Sequence, residues 1–176
     1  MRSKFLLLVI FFNVIGFVSQ AQTATKIGYA NVEYIISKLP EVNKVETELE
    51  TANTTLKNQL DALVSEYQQK LQEYEQSVGT MLDAVKVVKE TELGQMQQRI
   101  RDFRANAQTS LQQKQAELMN PLFVKVRSTI NELAKEEGFK LILNSQMGGM
   151  EIVLFADDKI DVSDKVLKRL GIEVII

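Results

Sequence analysis

The sequence predicts an α+β protein, mainly α, in which a long antiparallel helical hairpin over 41–137 stands on a small β-containing body drawn from 22–40 and 138–176. Three observations predict it. First, apolar residues fall at Val45, Leu49, Ala52, Leu56, Leu60, Leu63, Tyr67, Leu71, Tyr74 and Val78, in steps of four, three and four. That eleven-residue period is about 3.67 residues per turn, so the stripe stays on one side of a nearly straight helix. A stripe so narrow cannot wall a globular core and must lie against another helix along its length. Second, a matching series runs Leu93, Met96, Ile100, Phe103, Ala107, Leu111, skips at Lys114, and continues Leu118, Leu122, Val126, Ile130, Leu133. Third, short β-rich runs occur only near the two ends of the chain.

The opening stretch reads as an export signal. Arg2 and Lys4 precede an apolar run from Phe5 to Val18, and Ser19-Gln20-Ala21 supplies small residues for a peptidase. The run, about 14 residues, is short of the ~20 that a permanent span needs, so cleavage near Ala21 is expected. No cysteine follows it for lipid attachment. The expected location is therefore soluble, in an exported compartment.

Ile27 and Tyr29 alternate in a short strand. Asn31 caps a brief helix over 32–39, which Pro40 stops because the residue before proline is pushed out of the helical region. The outgoing arm follows from Glu41 to about Val78. The likeliest tip is Ser77-Val78-Gly79-Thr80, with Thr80 as N-cap and Asp83 three residues on; the alternative lies at Val88 to Glu92. The return arm reaches about Glu137. Asn120-Pro121 should kink or restart it, with Asn120 as cap, and serve as an arm hinge. Gly138 ends the arm. Residues 139–143 and 151–155 read as strands joined by a Met147-Gly148-Gly149-Met150 turn. Asp161 and Asp164 cap a last helix over 162–170, closed by Gly171, and the tail 172–176 is either an extra strand or frayed.

Composition excludes several functions. The absence of cysteine leaves no disulfide scaffold and that of histidine removes the usual neutral-pH base. Without a glycine-rich phosphate loop, no enzyme and no cofactor are expected. Asp157-Asp158 and Asp161 to Asp164 lack the spacing of a calcium loop and serve better as loop and caps. The 21 basic residues against 23 acidic ones give no basic field for nucleic acid. Locally, 41–78 holds eight acidic and three basic residues and 95–130 six basic and two acidic, which suits antiparallel pairing. A body so small, without disulfides and with open strand edges, is expected to self-associate.

Ile27-Gly28-Tyr29-Ala30-Asn31, the long hairpin, Asn120-Pro121-Leu122, Gly138-Phe139-Lys140-Leu141-Ile142-Leu143 and Asp161-Val162-Ser163-Asp164-Lys165-Val166-Leu167 together resemble the Skp/OmpH family. The likeness covers about 24–171. It implies a periplasmic homotrimer whose three bodies form a small barrel, with arms projecting around a cavity. There unfolded outer-membrane β-barrel proteins are held without nucleotide. The resemblance makes the body a trimerisation body, with Ile27, Tyr29, Leu141, Leu143, Ile152 and Leu154 as its expected contacts. This chain departs from the strongly basic members in being slightly acidic, which argues against lipopolysaccharide or membrane-surface binding.

The residues themselves leave two readings at each candidate contact. Met81, Leu82, Val85, Val87 and Val88 either pack inside the tip or meet a client. Arg99, Arg101 and Arg104 form either a solvated or arm-pairing face or a contact for client or anionic lipid. Met, Val and Tyr scattered along the arm would offer a client many shallow apolar contacts. The rival to a chaperone is a structural coiled-coil spacer or adaptor of the cell envelope.

Overall fold

The structure is a computed structural model that describes residues 25–173. The expected export signal over 1–21 and the end of the tail, 174–176, lie outside the described residues. Strand β1 (Ile27–Ala30) leads into α1 (Val32–Ser37), whose N-terminus is capped by Asn31, its Oδ1 accepting from the Tyr34 N–H at 2.9 Å. Helix α2 (Glu41–Ser77) then runs out for about 55 Å at 1.5 Å per residue. A 3-10 turn at Val78–Thr80 reverses the chain, and α3 (Asp83–Glu137) returns past the start of α2 into the body.

The eleven-residue pattern is what holds the two helices together. Val45 is buried, and every other member of the α2 stripe, from Leu49 to Val78, is half-buried. On α3, Leu93, Ile100, Leu122, Val126 and Leu133 are buried, and Met96, Phe103, Ala107, Leu111, Leu118 and Ile130 are half-buried. Nearly everything between these positions faces water. Lys114 stands where the pattern calls for an apolar residue; its stem lies half-buried and its ammonium reaches Glu48 at 3.6 Å.

Two expectations about the arm fail. Thr80 does not cap α3: its hydroxyl donates back to the Ser77 carbonyl at 3.1 Å, and Leu82 holds the N-cap position without a side-chain bond. Helix α3 does not restart at Asn120-Pro121 either. Pro121 sits inside an uninterrupted helix on an exposed face. There its missing N–H costs a bond, but the position is exposed, while Leu122 and Val126 beside it are held by the core.

The body's core is shared between both arm roots and the small elements. Ala30, Ile35, Ile36, Leu39, Val45, Leu122, Val126, Leu133, Val162, Val166 and Leu167 form one buried cluster. Gly138, at φ 76°, ends α3, as its position past the last apolar residue predicts. Strand β2 (Leu141–Asn144) starts later than the expected 139–143 and pairs parallel with β1, Ile27 opposite Leu141 and Tyr29 opposite Leu143. Phe139 is drawn out of the strand because its ring lies against Gly28 and under the Lys26 ammonium, 4.0 Å from the ring centre. Gly148 and Gly149, both at positive φ, turn a minimal hairpin of β3 (Gln146–Met147) and β4 (Met150–Glu151).

The expected strand over 151–155 stops after Glu151. Ile152 and Leu154 therefore belong to no sheet in the single copy and are exposed. The last helix, α4 (Ser163–Arg169), is preceded by Asp161, whose Oδ1 accepts from the Ser163 N–H at 2.8 Å. Beyond Gly171, Ile172 packs on the core and its N–H reaches the Leu167 carbonyl at 3.0 Å, which ties down the first residue of the tail.

Candidate functional site

The far end of the arm is built by the exit from α2. Met81 and Leu82 are extended, and the Leu82 carbonyl starts α3 by accepting from the Val85 and Lys86 N–H groups at 2.9 and 3.1 Å. Met81 turns inward, half-buried, into a cleft of about 130 Å³ with Tyr74 and Leu93. Leu82, Val85, Val87 and Val88 do the opposite: they are 76, 41, 62 and 64% exposed. Of the two readings of these five residues, packing inside the tip holds for Met81 alone. The other four crown the arm with apolar surface that nothing in the single copy covers.

The shaft between tip and root is polar. Between Val45 and Met81, and between Val88 and Phe123, no large apolar side chain is among the exposed ones. Met96, Tyr67 and Tyr74 are half-buried between the helices, as their places in the two apolar stripes predict, and so leave a client little to touch on the shaft. The Tyr67 hydroxyl accepts from Gln97, and the Tyr74 hydroxyl donates to Glu90 at 2.6 Å. That bond to a carboxylate holds the Tyr74 phenol above its ordinary pKa.

Arg99, Arg101 and Arg104 are exposed. Arg101 donates to Gln98 on its own helix at 2.6 Å, and among the described residues none of the three arginines pairs with α2. Their face is solvated and does not join the arms. Charge pairing across the hairpin is confined to its root half, at Lys114–Glu48 and at Lys125–Glu41, 2.5 Å. The Lys125 ammonium holds the Glu41 carboxyl below the usual range.

Around the body, the outer face of the β1–β2 pair is bare. Ile27, Leu141 and Leu143 are exposed and Tyr29 is half-buried, its hydroxyl pushed up by burial and by the nearby Asp161. Gly28, Ala30 and Ile142 face the other way, towards the core. Strand β2 has a partner on one side only. Alongside it and the arm root lies a groove of about 470 Å³, lined by Val32, Phe123, Arg127, Ile130, Ile142 and Leu143 among others. Sequence reasoning missed this groove. Phe123 and Arg127 lie four apart, just off the buried stripe, which was the available signal.

Sequence reasoning also missed an ionic clamp beneath the arm. The Glu137 carboxylate accepts from Lys165 at 2.7 Å and Lys26 at 2.9 Å, and Glu136 accepts from Arg169. This fixes β1 and α4 to the last turn of α3 and holds both carboxyls below the usual range, Glu137 chiefly through Lys165. Asn120 and Pro121 are exposed on the arm root, with Asn120 on the wall of the groove beside β2. Among the described residues no helix is long and apolar enough to cross a membrane.

The architecture is a polar two-helix rod on a small, partly uncovered β body. The chain belongs to the Skp/OmpH family: the family model described as outer membrane protein (OmpH-like) matches residues 26–170. It is 26% identical over 155 residues to the chaperone protein Skp of Yersinia enterocolitica, covering 86% of this chain and 90% of that one. An uncharacterized protein of Aquifex aeolicus (strain VF5) is 30% identical over 138 residues, 74% of this chain and 82% of its own. The crystal structure of an OmpH-like protein from Caulobacter crescentus CB15 superposes with a TM-score of 0.69. It covers 86% of this chain and 88% of that one at 10% identity, a likeness of fold.

Proposed function

We propose that this protein works in the periplasm as a homotrimeric, nucleotide-independent holdase that keeps unfolded outer-membrane β-barrel proteins soluble between its arms until insertion. The observation that carries the reading is the distribution of apolar surface. The stripe of each helix is spent on the other, so the shaft meets a client with charges and amides. Among the described residues, large exposed apolar groups are left at the tip, at the arm root and around the body. A client between such rods finds no continuous greasy wall to adhere to. It is retained by enclosure and by a few contacts at either end, each near ~25 cal/mol per Å² of apolar area buried. Contacts so few are broken thermally, so release requires no ATP. The bare face of the β1–β2 pair supports self-association. Arg99, Arg101 and Arg104 add a cationic strip that supports contact with acidic segments of a client.

The test is the mass in solution of the chain from Gln22 on, alone and with a urea-unfolded outer-membrane barrel protein, together with light scattering by the diluted client. A trimer that takes up the client and suppresses its scattering without nucleotide is the expected result. A single chain in solution, or an assembly that leaves the client's aggregation unchanged, overturns the proposal.

A further inference from the structure

The β3–β4 hairpin places two side chains where packing gives no reason for them. Its turn is Gly148-Gly149, at φ 62° and 77°, which folds the chain back within two residues. The flanking Met147 and Met150 are thereby paired directly across the ribbon. Side chains so placed stand on one face, with Cβ atoms about 4.5–5.5 Å apart. Both are exposed, at 62 and 72%, whereas Met81, Met96 and Met119 are half-buried. Two flexible thioethers on neighbouring Cβ atoms can close on one ion with no movement of the backbone. The surroundings are anionic. The Glu33 carboxylate accepts from the Gly148 N–H at 2.5 Å, and Glu151 follows Met150 in the chain. Neither carboxylate joins an ion pair among the described residues.

We infer that Met147 and Met150 are the donors of a site for a soft monovalent cation, copper(I). The chemistry of the donors makes the choice. A thioether is a neutral, polarisable sulfur, which suits copper(I) and offers nothing to calcium or magnesium, whose ligands are oxygens. The chain holds no histidine and no cysteine, so zinc and copper(II) find no imidazole or thiolate. In an oxidising compartment a cysteine pair is consumed as a disulfide, a bond that thioethers cannot form. The charges of Glu33 and Glu151 attract a cation, while their hard oxygens do not displace sulfur from a soft one. Two neutral donors leave coordination positions open, so the ion is exchangeable and is no part of the fold. The site goes beyond the holdase reading and needs neither client nor arm.

The test uses the chain from Gln22 on, with isotope-labelled methionine methyl groups read by NMR. Silver(I) in chloride-free buffer serves as a closed-shell probe, followed by copper(I) under anaerobic conditions. With either ion, the Met147 and Met150 methyl signals are expected to move together and to saturate at one ion per chain. The signals of Met81, Met96 and Met119 are expected to stay in place, and magnesium, calcium and zinc to move none. Met147→Leu and Met150→Leu conserve volume at exposed positions. Each is expected to weaken binding by at least the ~10-fold that losing even a ligand's supporting partner costs a metal site. The double variant is expected to bind no ion and to keep the parent's mass and helical circular dichroism. Methionine signals that all shift alike show adventitious metal and overturn the site. Met147 and Met150 signals that stay fixed in excess silver(I) overturn it too, as does saturation at one ion per two chains. None of these readouts depends on client holding, so the two proposals fail separately.

Discussion

Gly28 stands where no other residue fits. A Cβ there would lie 2.9 Å from the Phe139 ring and 3.1 Å from the Ile160 carbonyl, between a side chain pinned by Lys26 and a fixed backbone. Gly28→Ala is expected to lower the urea midpoint by an amount worth about 1–3 kcal/mol, as overpacking does. Lys114 is the opposite case, a polar residue in a position that wants an apolar one. Lys114→Leu gives up an exposed ion pair, worth little, and completes the stripe; a stability gain on the order of 1 kcal/mol is expected in urea unfolding. Glu136, Glu137 and Glu41 share a pH signature. Their folded pKa values are depressed, so the stability they contribute is complete above the unfolded carboxyl pKa and is lost as pH falls through the folded values. Glu137→Gln is therefore expected to weaken the protein near neutrality and to flatten the fall in its thermal midpoint on acidification. Single-residue signals were legible where the physics is local, as at the Asn31 cap and the Gly138 terminus. The Glu137 clamp was not, because its partners lie 111 and 28 positions away in the chain.

At the scale of elements, the two long helices were legible because their pattern repeats over many turns and has one geometric solution. Their interruptions were not. Thr80 had the chemistry of a cap, but the turn at Val78–Thr80 spends its hydroxyl on Ser77 and begins α3 two residues later. Pro121 had the chemistry of a breaker, but core contacts at Leu122 and Val126 on one side and the Leu118 stripe on the other carry the helix through. Proline in a helix interior costs about 3 kcal/mol relative to alanine. Pro121→Ala is accordingly expected to raise the thermal midpoint with unchanged helix content, and a lowered midpoint would show that the ring sets the packing of the root. The strand expected over 151–155 differs for another reason. Strand propensity states what a segment can do when an edge is offered, and past Glu151 the segment pairs with no strand among the described residues.

The whole molecule was legible as a rod on a knob, and the tip fell at the expected break, but which surfaces remain uncovered was not. Whether Val85 packs or projects depends on where α2 stops, a matter of one or two residues that periodicity does not resolve. Replacing Leu82, Val85 and Val88 together by Asp removes the apolar crown without touching the core. The variant is expected to keep the mass of the assembly and to hold barrel clients at least several-fold less well, as read by the protein needed to halve client scattering. The thinness of the arm has a further consequence. Each layer of side chains along α2 and α3 touches only the layers next to it, so the rod melts like a zipper and not like a droplet. Opening should start at Met81 and travel rootward, which amide hydrogen exchange would record as protection climbing step by step from Leu93 towards Val126.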